Sequence, residues 1–373
     1  MNRVLRRLVS LFLIVGFGCV ALAQIGADDD RRKKKKKPNK KDLEPITQVL
    51  PLPKDLPAAI SAEPQRLVFH VSPLSNKGLL TQQTREAVKA LWTSTRGATI
   101  VKMRAFVAGS GDTRRISTLV SEMFTEKKLP LPVVTTVLVG SLGMEGAQIL
   151  MESVAVERKA VNPNGLLFIS GKGGKSFPDA IEQLRLTAKS MGGSDADFLR
   201  VTCYVNAFEG ANPPRQLTSM PGAAYAVAQM RREPSPVVAE CEAVARAARP
   251  QAEALKLINP AGMPASPNFS QLAAVNSPKI VFTGLQLAFQ SQESDVKLAF
   301  ERLGKTLESQ GVGYKNVFMT SIYALTQDAI DKIRALRFGY LDKAHPPAST
   351  LLPFEGLPSL DASFGLEVVA IVQ

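Results

Sequence analysis

The stretch KIVFTG (residues 279–284) is a short apolar run that ends in a polar residue and a glycine. Related stretches occur earlier in the chain, as RLVFHVS (66–72) and GLLFISG (165–171). Each has the length and the β-branched and aromatic content of a buried strand. Because a pattern that returns along a chain indicates repeated structure, we predict that one structural unit occurs three times.

The residues between these runs repeat the same order of elements. In the third unit Val296, Phe300, Leu303 and Leu307 have the spacing of one helix face. Strands are predicted after each such helix and again at the end of each unit, at 99–107, 147–156, 199–206, 237–245, 316–325 and 364–372. A second helix is predicted in the first and third units, whereas Pro213 and Pro214 argue against a full-length helix in the second. The sequence therefore predicts an α+β protein.

These features resemble the Rid (YjgF) family of small trimeric proteins, whose best-known members are imine and enamine deaminases. The third unit carries most of the likeness. SPNFSQLAAV (266–275) is similar to the family's N-terminal arm G-P-Y-S-Q-A-V. HPPAST (345–350) and LEVVAI (366–371) are similar to P-A-R-S-T and to the acidic strand that follows it. The other units resemble the family in VFHVS, QQTREAV and LPVVTTV, and in FISGK, MPGAAYAV and AECEAVA.

The resemblance implies a RidA-like, chorismate-mutase-like fold for each of three tandem units. We expect unit 1 at 64–159, a degenerate unit 2 at 160–248, and unit 3, with its N-terminal arm, at 249–373. A sheet with helices on one face has to bury its other face. Three linked units can do so by closing a ring within one molecule, so we expect a monomeric, intramolecular pseudo-trimer.

The resemblance also implies an active cleft between units, where the arginine of P-A-R-S-T grips a substrate carboxylate through two parallel hydrogen bonds. The matching positions are Val134, Ala223 and Ala348, so the arginine is absent from all three units. Losing such a charge-assisted anchor costs about 1.5–3 kcal/mol. The sequence therefore favours a protein that does not deaminate amino-acid imines.

Other family positions provide candidate ligand-binding residues, most of them in the third unit. Glu240 and Glu367 are matched to the first acidic position of the last strand, and Glu152 and Glu242 to the second. The candidate set is Ser170, Gly171, Glu240, Phe269, Ser270, Gln271, Thr283, Gly284, Ala348, Thr350 and Glu367. The alternative interpretation is that these residues only hold strand ends and turns, because a shared fold does not carry function with it.

No motif indicates a metal or a cofactor, and none is expected. His70 and His345, the two histidines, belong to no ligand cluster or nucleophile–base pair. SGKGGKS (170–176) lacks the spacing of a phosphate-binding loop. Cys203 and Cys241 either pair as a disulfide or remain buried thiols.

The N-terminus predicts export. Basic residues precede an apolar run that ends in ALA (21–23), which is typical of a signal peptide over 1–23 cleaved after Ala23. An uncleaved membrane anchor is the alternative, and lipidation at Cys19 is a weaker one. Residues 24–63 are basic and rich in proline, and they predict a disordered linker.

The net charge of +13 is concentrated near the N-terminus. Residues 3–7 and 28–41 together contribute +9, which leaves about +4 for all other residues. This distribution argues against specific nucleic-acid binding. The basic segment 31–41 is either a solvated linker or a contact for anionic lipid or wall polymer.

Three functions remain open. The sequence favours an exported, non-deaminating, Rid-like protein that binds a small organic ligand in clefts between units or serves as a scaffold. The second is an imine or enamine hydrolase of altered specificity, in which Glu240 or Glu367 orients water. The third is a surface-associated protein that acts through its polybasic tail.

Overall fold

Three mixed β-sheets, each with helices on one face, form the described part of the chain in this computed structural model. The structure describes residues 52–109, 111–208, 220–232 and 237–372. The predicted signal peptide, the basic segment 31–41 and the two prolines at 213–214 lie outside these residues. Within the described residues, no helix is long and apolar enough to cross a membrane.

The strands and helices follow the predicted order. The strands are β1 (Ala59–Ala62), β2 (Leu67–Val71), β3 (Thr99–Ala108), β4 (Val133–Val139), β5 (Ile149–Val156), β6 (Leu166–Gly174), β7 (Phe198–Val205), β8 (Ala224–Gln229), β9 (Ala239–Arg246), β10 (Leu255–Ile258), β11 (Leu272–Val275), β12 (Lys279–Thr283), β13 (Gln286–Phe289), β14 (Val317–Ala324), β15 (Ala348–Pro353) and β16 (Ala362–Val372). The helices are α1 (Leu80–Thr95), α2 (Arg114–Glu126), α3 (Phe177–Ser190), α4 (Glu293–Glu308) and α5 (Gln327–Leu336). The architecture is therefore α+β, as the sequence predicts.

Each sheet contains the same path of four hydrogen-bonded strands. The paths are β2-β5-β3-β4, β6-β9-β7-β8 and β12-β16-β14-β15. In each path the last pair is parallel and the other two pairs are antiparallel. Each central strand also shifts register once near its start, at 100–102, 198–200 and 317–319. Equivalent residues of the three sheets can therefore be read directly from the pairing.

The helices cover the outer face of each sheet because their apolar residues recur every three or four positions. On α4 the residues Val296, Phe300, Leu303 and Leu307 are all buried, as their spacing predicts. On α3 the hydroxyl of Ser176 accepts a hydrogen bond from the Asp179 amide and thereby caps the first turn.

The inner faces of the three sheets pack against one another. Phe69 on β2, Phe168 on β6 and Phe282 on β12 occupy the same place in the three paths and belong to one apolar cluster. Phe168 and Phe318 meet edge to face with ring centroids 4.9 Å apart. The second face of every sheet is thus buried within the chain.

Two further strands cross from one sheet to another. β1 pairs antiparallel with β12, so residues 59–62 belong to the third sheet although they fall within the predicted linker 24–63. β11, from the arm predicted for unit 3, pairs with β6 of the second sheet. The linker prediction is therefore wrong for residues 59–62, because the edge of a neighbouring sheet satisfies their backbone groups.

Cys203 and Cys241 lie directly opposite each other on β7 and β9 and form a disulfide, with Cα atoms 4.1 Å apart. Both side chains are buried on the face of the second sheet that packs against α3. The structure thus selects one of the two alternatives left open by the sequence.

Candidate functional site

A network of buried charges lies where the inner faces of the three sheets meet. The cations are Lys102 and Arg104 on β3 and Arg200 on β7; the anions are Glu152 on β5, Glu242 on β9 and Glu367 on β16. Alternation along each strand directs these side chains inward. Three positive groups face three negative groups, so the network is balanced in charge.

Arg104 connects all three sheets. Its Nε donates to Glu152 Oε2 at 2.8 Å in its own sheet. Its terminal nitrogens donate to Glu242 Oε1 at 2.9 Å and to the Tyr323 hydroxyl at 3.3 Å. A guanidinium suits this position because its planar fork presents several donors in fixed directions.

Lys102 makes the corresponding connection between the first and third sheets. Its Nζ donates to Thr135 Oγ1 at 2.8 Å and to the Thr283 carbonyl at 2.9 Å, and it pairs with Glu367. The Tyr323 hydroxyl donates to the other oxygen of Glu367 at 2.8 Å. Burial favours the neutral form of Glu367, but Lys102 and then Arg104 outweigh it, so its pKa lies below the ordinary value.

The pKa of Glu242 is also lowered, because the nearby Arg104 and Arg200 outweigh the effect of burial. A cavity of about 50 Å³ lies beside the network, bordered by Phe69, Phe168 and Phe282. It has room for only a few water-sized molecules. Since the charges already compensate one another, the centre is suited to joining the sheets.

The strand register corrects the matching of the acidic residues. Glu152 lies opposite Arg104, Glu242 opposite Thr202, and Glu367 opposite Ser321, three equivalent positions. Glu240 lies two residues earlier, opposite Tyr204. Matching Glu367 with Glu240 was therefore wrong. A shift of two residues keeps a side chain on the same face, so the sequence pattern could not exclude it.

A similar correction applies to the position of the family arginine. Ala348 lies beside Met319, and the equivalent residues in the other sheets are Val133 and Ala224, one position from the predicted Val134 and Ala223. All three are aliphatic. The position therefore has no guanidinium in any of the three sheets.

The candidate residues separate into three places. Glu367 belongs to the central network. Thr283 and Gly284 lie where the third sheet meets the first: the Thr283 carbonyl accepts from Lys102 Nζ at 2.9 Å, and Gly284 lies near Val133. The remaining candidates, Ser170, Gly171, Glu240, Phe269, Ser270, Gln271, Ala348 and Thr350, lie on or beside β6, β9, β11 and β15, where the second and third sheets meet.

Several of these candidates serve as structural links. The Ser170 hydroxyl donates to the Ser270 carbonyl at 2.6 Å and accepts from the Ser349 amide at 3.0 Å. The Ser270 hydroxyl donates to the Pro346 carbonyl at 2.6 Å. Ala348 and Thr350 are buried, and the Thr350 hydroxyl helps to lower the pKa of Glu242. The hydrogen bonds of Ser170 and Ser270 join neighbouring strands.

Three other candidates border an open groove of about 620 Å³ beside the second sheet. Gly171, Phe269 and Gln271 line it, and its apolar wall consists of Leu186, Pro260, Met263 and Pro264. Gln271 is fixed by two hydrogen bonds. Its side-chain Nε2 donates to the Pro264 carbonyl at 2.7 Å, and its backbone amide donates to Asn259 Oδ1 at 2.9 Å. Ligand pockets typically combine such an apolar wall with a few fixed polar groups.

Lys172 also lines this groove, and the sequence interpretation missed it. Its Nζ donates to the Gln271 carbonyl at 3.2 Å and to Gln271 Oε1. Burial lowers the pKa of Lys172 to about 8, and Glu240 opposes the shift. In the sequence, the signal for Lys172 was its place directly after the Ser170-Gly171 pair. The structure adds that the residue opposite it, Cys241, has no charge.

Glu240 is the acidic counterpart of Lys172. Burial, reinforced by the nearby Glu242, raises the pKa of Glu240 to about 7, with Lys172 and Arg334 opposing. Its carboxyl packs against Gly171, where an added Cβ would lie 2.0 Å from Glu240 Oε1. Glycine is thus required at 171 by the close approach of this carboxyl. An amine that lines the groove and a carboxyl that packs against Gly171 therefore both have pKa values near neutral pH.

No protein-family model and no curated protein matches this chain. Among solved structures, a chorismatase is similar at 12% identity, covering 84% of this chain and 77% of that chain, with a TM-score of 0.41. YyfB from Yersinia pestis, described as a protein of unknown function of the conserved Rid protein family, has 18% identity. It covers 32% of this chain and 100% of that chain, with a TM-score of 0.28.

A putative endoribonuclease from Thermotoga maritima has 20% identity and covers 30% of this chain and 90% of that chain, with a TM-score of 0.24. The values for all three structures are too low to carry an argument about activity, and what the chain does has to be argued from its own residues.

Proposed function

We propose that this chain is a Rid-like protein that binds a small organic ligand in the groove beside Lys172 and does not deaminate amino-acid imines. The observation that carries the proposal is the groove itself. It combines an apolar wall with a fixed carboxamide and a buried amine, and the nearby β15 has Ala348 where the family has its arginine. A carboxylate thus loses its bidentate anchor while the apolar contacts remain.

The proposed architecture is three RidA-like units that close on one another as an intramolecular pseudo-trimer. Two observations support it: the four-strand path occurs three times, and the inner faces of the three sheets share one apolar cluster. Since this closure leaves no sheet face to be covered by another chain, we expect a monomer. Mass photometry should give a mass close to that of one chain, 40.2 kDa before any cleavage of the N-terminus. A species of three times that mass would contradict the proposal.

Ligand binding is tested by native mass spectrometry of the purified protein, followed by a thermal-shift screen of small organic compounds. Leu186, on the groove wall, is 44% exposed, so Leu186→Arg should block the groove without disturbing the core. Leu298→Arg is a matched control, because Leu298 is 49% exposed on α4 and lies outside the groove. Binding lost only in Leu186→Arg supports the proposal. Equal binding by both variants, or none by the wild type, would refute it.

Absence of deamination is tested separately with amino-acid imines generated in the assay. We expect hydrolysis no faster than the buffer rate. Turnover that disappears in Glu240→Gln would instead favour the enzyme of altered specificity, because Glu240 packs against Gly171 of the groove and has a raised pKa.

Export is part of the proposal. It is supported by the signal-peptide pattern of residues 1–23 and by the Cys203–Cys241 disulfide, since disulfides persist mainly in oxidising compartments. Sequencing the N-terminus of the protein recovered outside the cytoplasm should start at Gln24. An intact Met1 would favour the uncleaved anchor.

We also propose that the basic segment 31–41 contacts anionic lipid or wall polymer, because nine basic residues lie within it. Retention on anionic vesicles should fall as salt is raised and should be lost on deletion of residues 28–41. Retention that ignores both changes would exclude this contact.

A further inference from the structure

Lys172 differs from every other lysine described in the core region because its ammonium group is buried without an ion pair. The residue is 6% exposed, yet its hydrogen-bond acceptors are the carbonyl and the carboxamide oxygen of Gln271. Glu240 acts on it electrostatically but lies beyond the 4.0 Å limit of an ion pair. Lys102, by contrast, is buried in direct contact with Glu367.

This environment favours the neutral amine. Two uncharged acceptors stabilise an ammonium group less than a carboxylate would, and burial removes hydration. With the pKa lowered to about 8, about one fifth of Lys172 is neutral at pH 7.4. An exposed lysine of pKa about 10.4 is neutral to only about 0.1% at that pH. A neutral amine is the nucleophilic form of lysine.

The position of the amine makes this reactivity accessible. Lys172 lines the groove together with Phe269 and Leu186, so a small molecule lying against the apolar wall lies beside this side chain. The wall favours uncharged molecules, and the described residues that line the groove include no cation besides Lys172. The chemistry that fits an amine beside an apolar wall is condensation with a carbonyl group.

We propose that Lys172 captures small, uncharged aldehydes or ketones as a Schiff base within the groove. The nitrogen lone pair attacks the carbonyl carbon, a C–N bond forms, and the carbonyl π electrons pass to oxygen. Transfer of a proton from nitrogen to oxygen gives a carbinolamine. The hydroxyl then takes a second proton and leaves as water, and the nitrogen lone pair forms the C=N bond. Solvent supplies the second proton, since the groove is open to water.

This inference rests on the proposed ligand groove and adds the chemical class of the ligand. The test incubates the whole protein with propanal or butanone, reduces it with sodium borohydride, and maps the modified lysines by peptide mass spectrometry. Lys175, three residues further on and exposed, is an internal control in the same part of the chain. We expect Lys172 to be modified at least about tenfold faster than Lys175 at pH 7.4.

The variants separate the two proposals. Lys172→Arg should abolish modification at 172, and non-covalent binding of small organic compounds is measured on the wild-type protein. Leu186→Arg should reduce both. Modification of Lys172 no faster than that of Lys175 would overturn the capture reaction alone if the groove still binds ligands. Failure of ligand binding as well would overturn the proposed function. Because the decisive comparison uses two lysines of the wild-type chain, it does not depend on any variant folding.

Discussion

The buried cations Lys102 and Arg104 of the central network form ion pairs, whereas the buried cation of the groove, Lys172, is held by uncharged acceptors. In the centre Arg104 meets Glu152 and Glu242, and Lys102 meets Glu367, with hydroxyl groups completing both contacts. In the groove, Gln271 is the only acceptor for Lys172 among the described residues. A compensated buried charge joins elements, whereas an uncompensated one costs stability. The centre therefore joins the sheets, whereas the groove keeps a destabilising group, which supports the proposal that a ligand binds there.

Three carboxyls on β9 and β16 show the same contrast within one protein. Glu242 and Glu367 face cations and have lowered pKa values, whereas Glu240 has a raised pKa of about 7. Glu240 and Glu242 are two residues apart on the same strand and the same face. The cations beside Glu242, Arg104 on β3 and Arg200 on β7, separate its pKa from that of Glu240.

The largest effect is expected from breaking the centre. Arg104→Met leaves Glu152 and Glu242 without their main cation, and removing one partner of a buried ion pair costs about 3–5 kcal/mol. Urea denaturation followed by circular dichroism measures the change. Arg85→Met is the control, because Arg85 forms a partly exposed pair with Glu122, a contact worth about 0–1 kcal/mol. Equal losses in the two variants would remove the distinction between the centre and the surface.

A covalent link in the second sheet can be compared with the ionic one. The Cys203–Cys241 disulfide closes a loop with a sequence separation of 38 residues. It joins β7 and β9 on one face of the sheet, and Thr202 and Glu242 on the same two strands lie on the other face. Replacing both cysteines by alanine should lower the free energy of unfolding by about 2–4 kcal/mol. The same denaturation assay applies. If untreated protein has two free thiols and the double variant is as stable as the wild type, the disulfide does not contribute.

Removing the buried charge of the groove should raise the free energy of unfolding instead of lowering it. Lys172→Met removes a buried ammonium and should stabilise the protein by about 1–2 kcal/mol at pH 7. This gain is smaller than the lowered pKa of Lys172 alone implies, because Gln271 loses a hydrogen-bond partner. The pKa of Lys172 is about 8 in the folded protein and 10.5 ordinarily, so the unfolded chain binds this proton more tightly. The gain is therefore complete below pH 8 and disappears as the pH rises to 10.5.

Thermal unfolding of the wild type and the variant at several pH values measures this gain. Lys175→Met, at the neighbouring exposed lysine, should change stability by less than about 0.5 kcal/mol at every pH. A loss of stability in Lys172→Met at pH 7 would mean that a group other than Gln271 stabilises the buried ammonium, and that the groove does not differ from the central network in this respect.

Most of the secondary structure could be predicted from the sequence, because period-two and 3.6-residue patterns report which face of an element is buried. This is why the helix face of Val296, Phe300, Leu303 and Leu307 was predicted correctly. The same periodicity cannot detect a shift of two residues along a strand, and Glu367 was matched with Glu240 for that reason. The candidate site was predicted in part: Gly171, Phe269 and Gln271 line the groove, whereas Lys172 was missed.

The sequence by itself determined that a strand–helix–strand order occurs three times, because local patterning is written into each stretch independently. Only the tertiary structure decided which strands exchange between sheets, as β1 and β11 do, and which charges find partners. Both depend on contacts between residues far apart in the chain. Lys102 meets Glu367 across 265 positions, and no local pattern records such a distance. Whether a buried charge is a link between sheets or a reactive group is therefore a property of the fold.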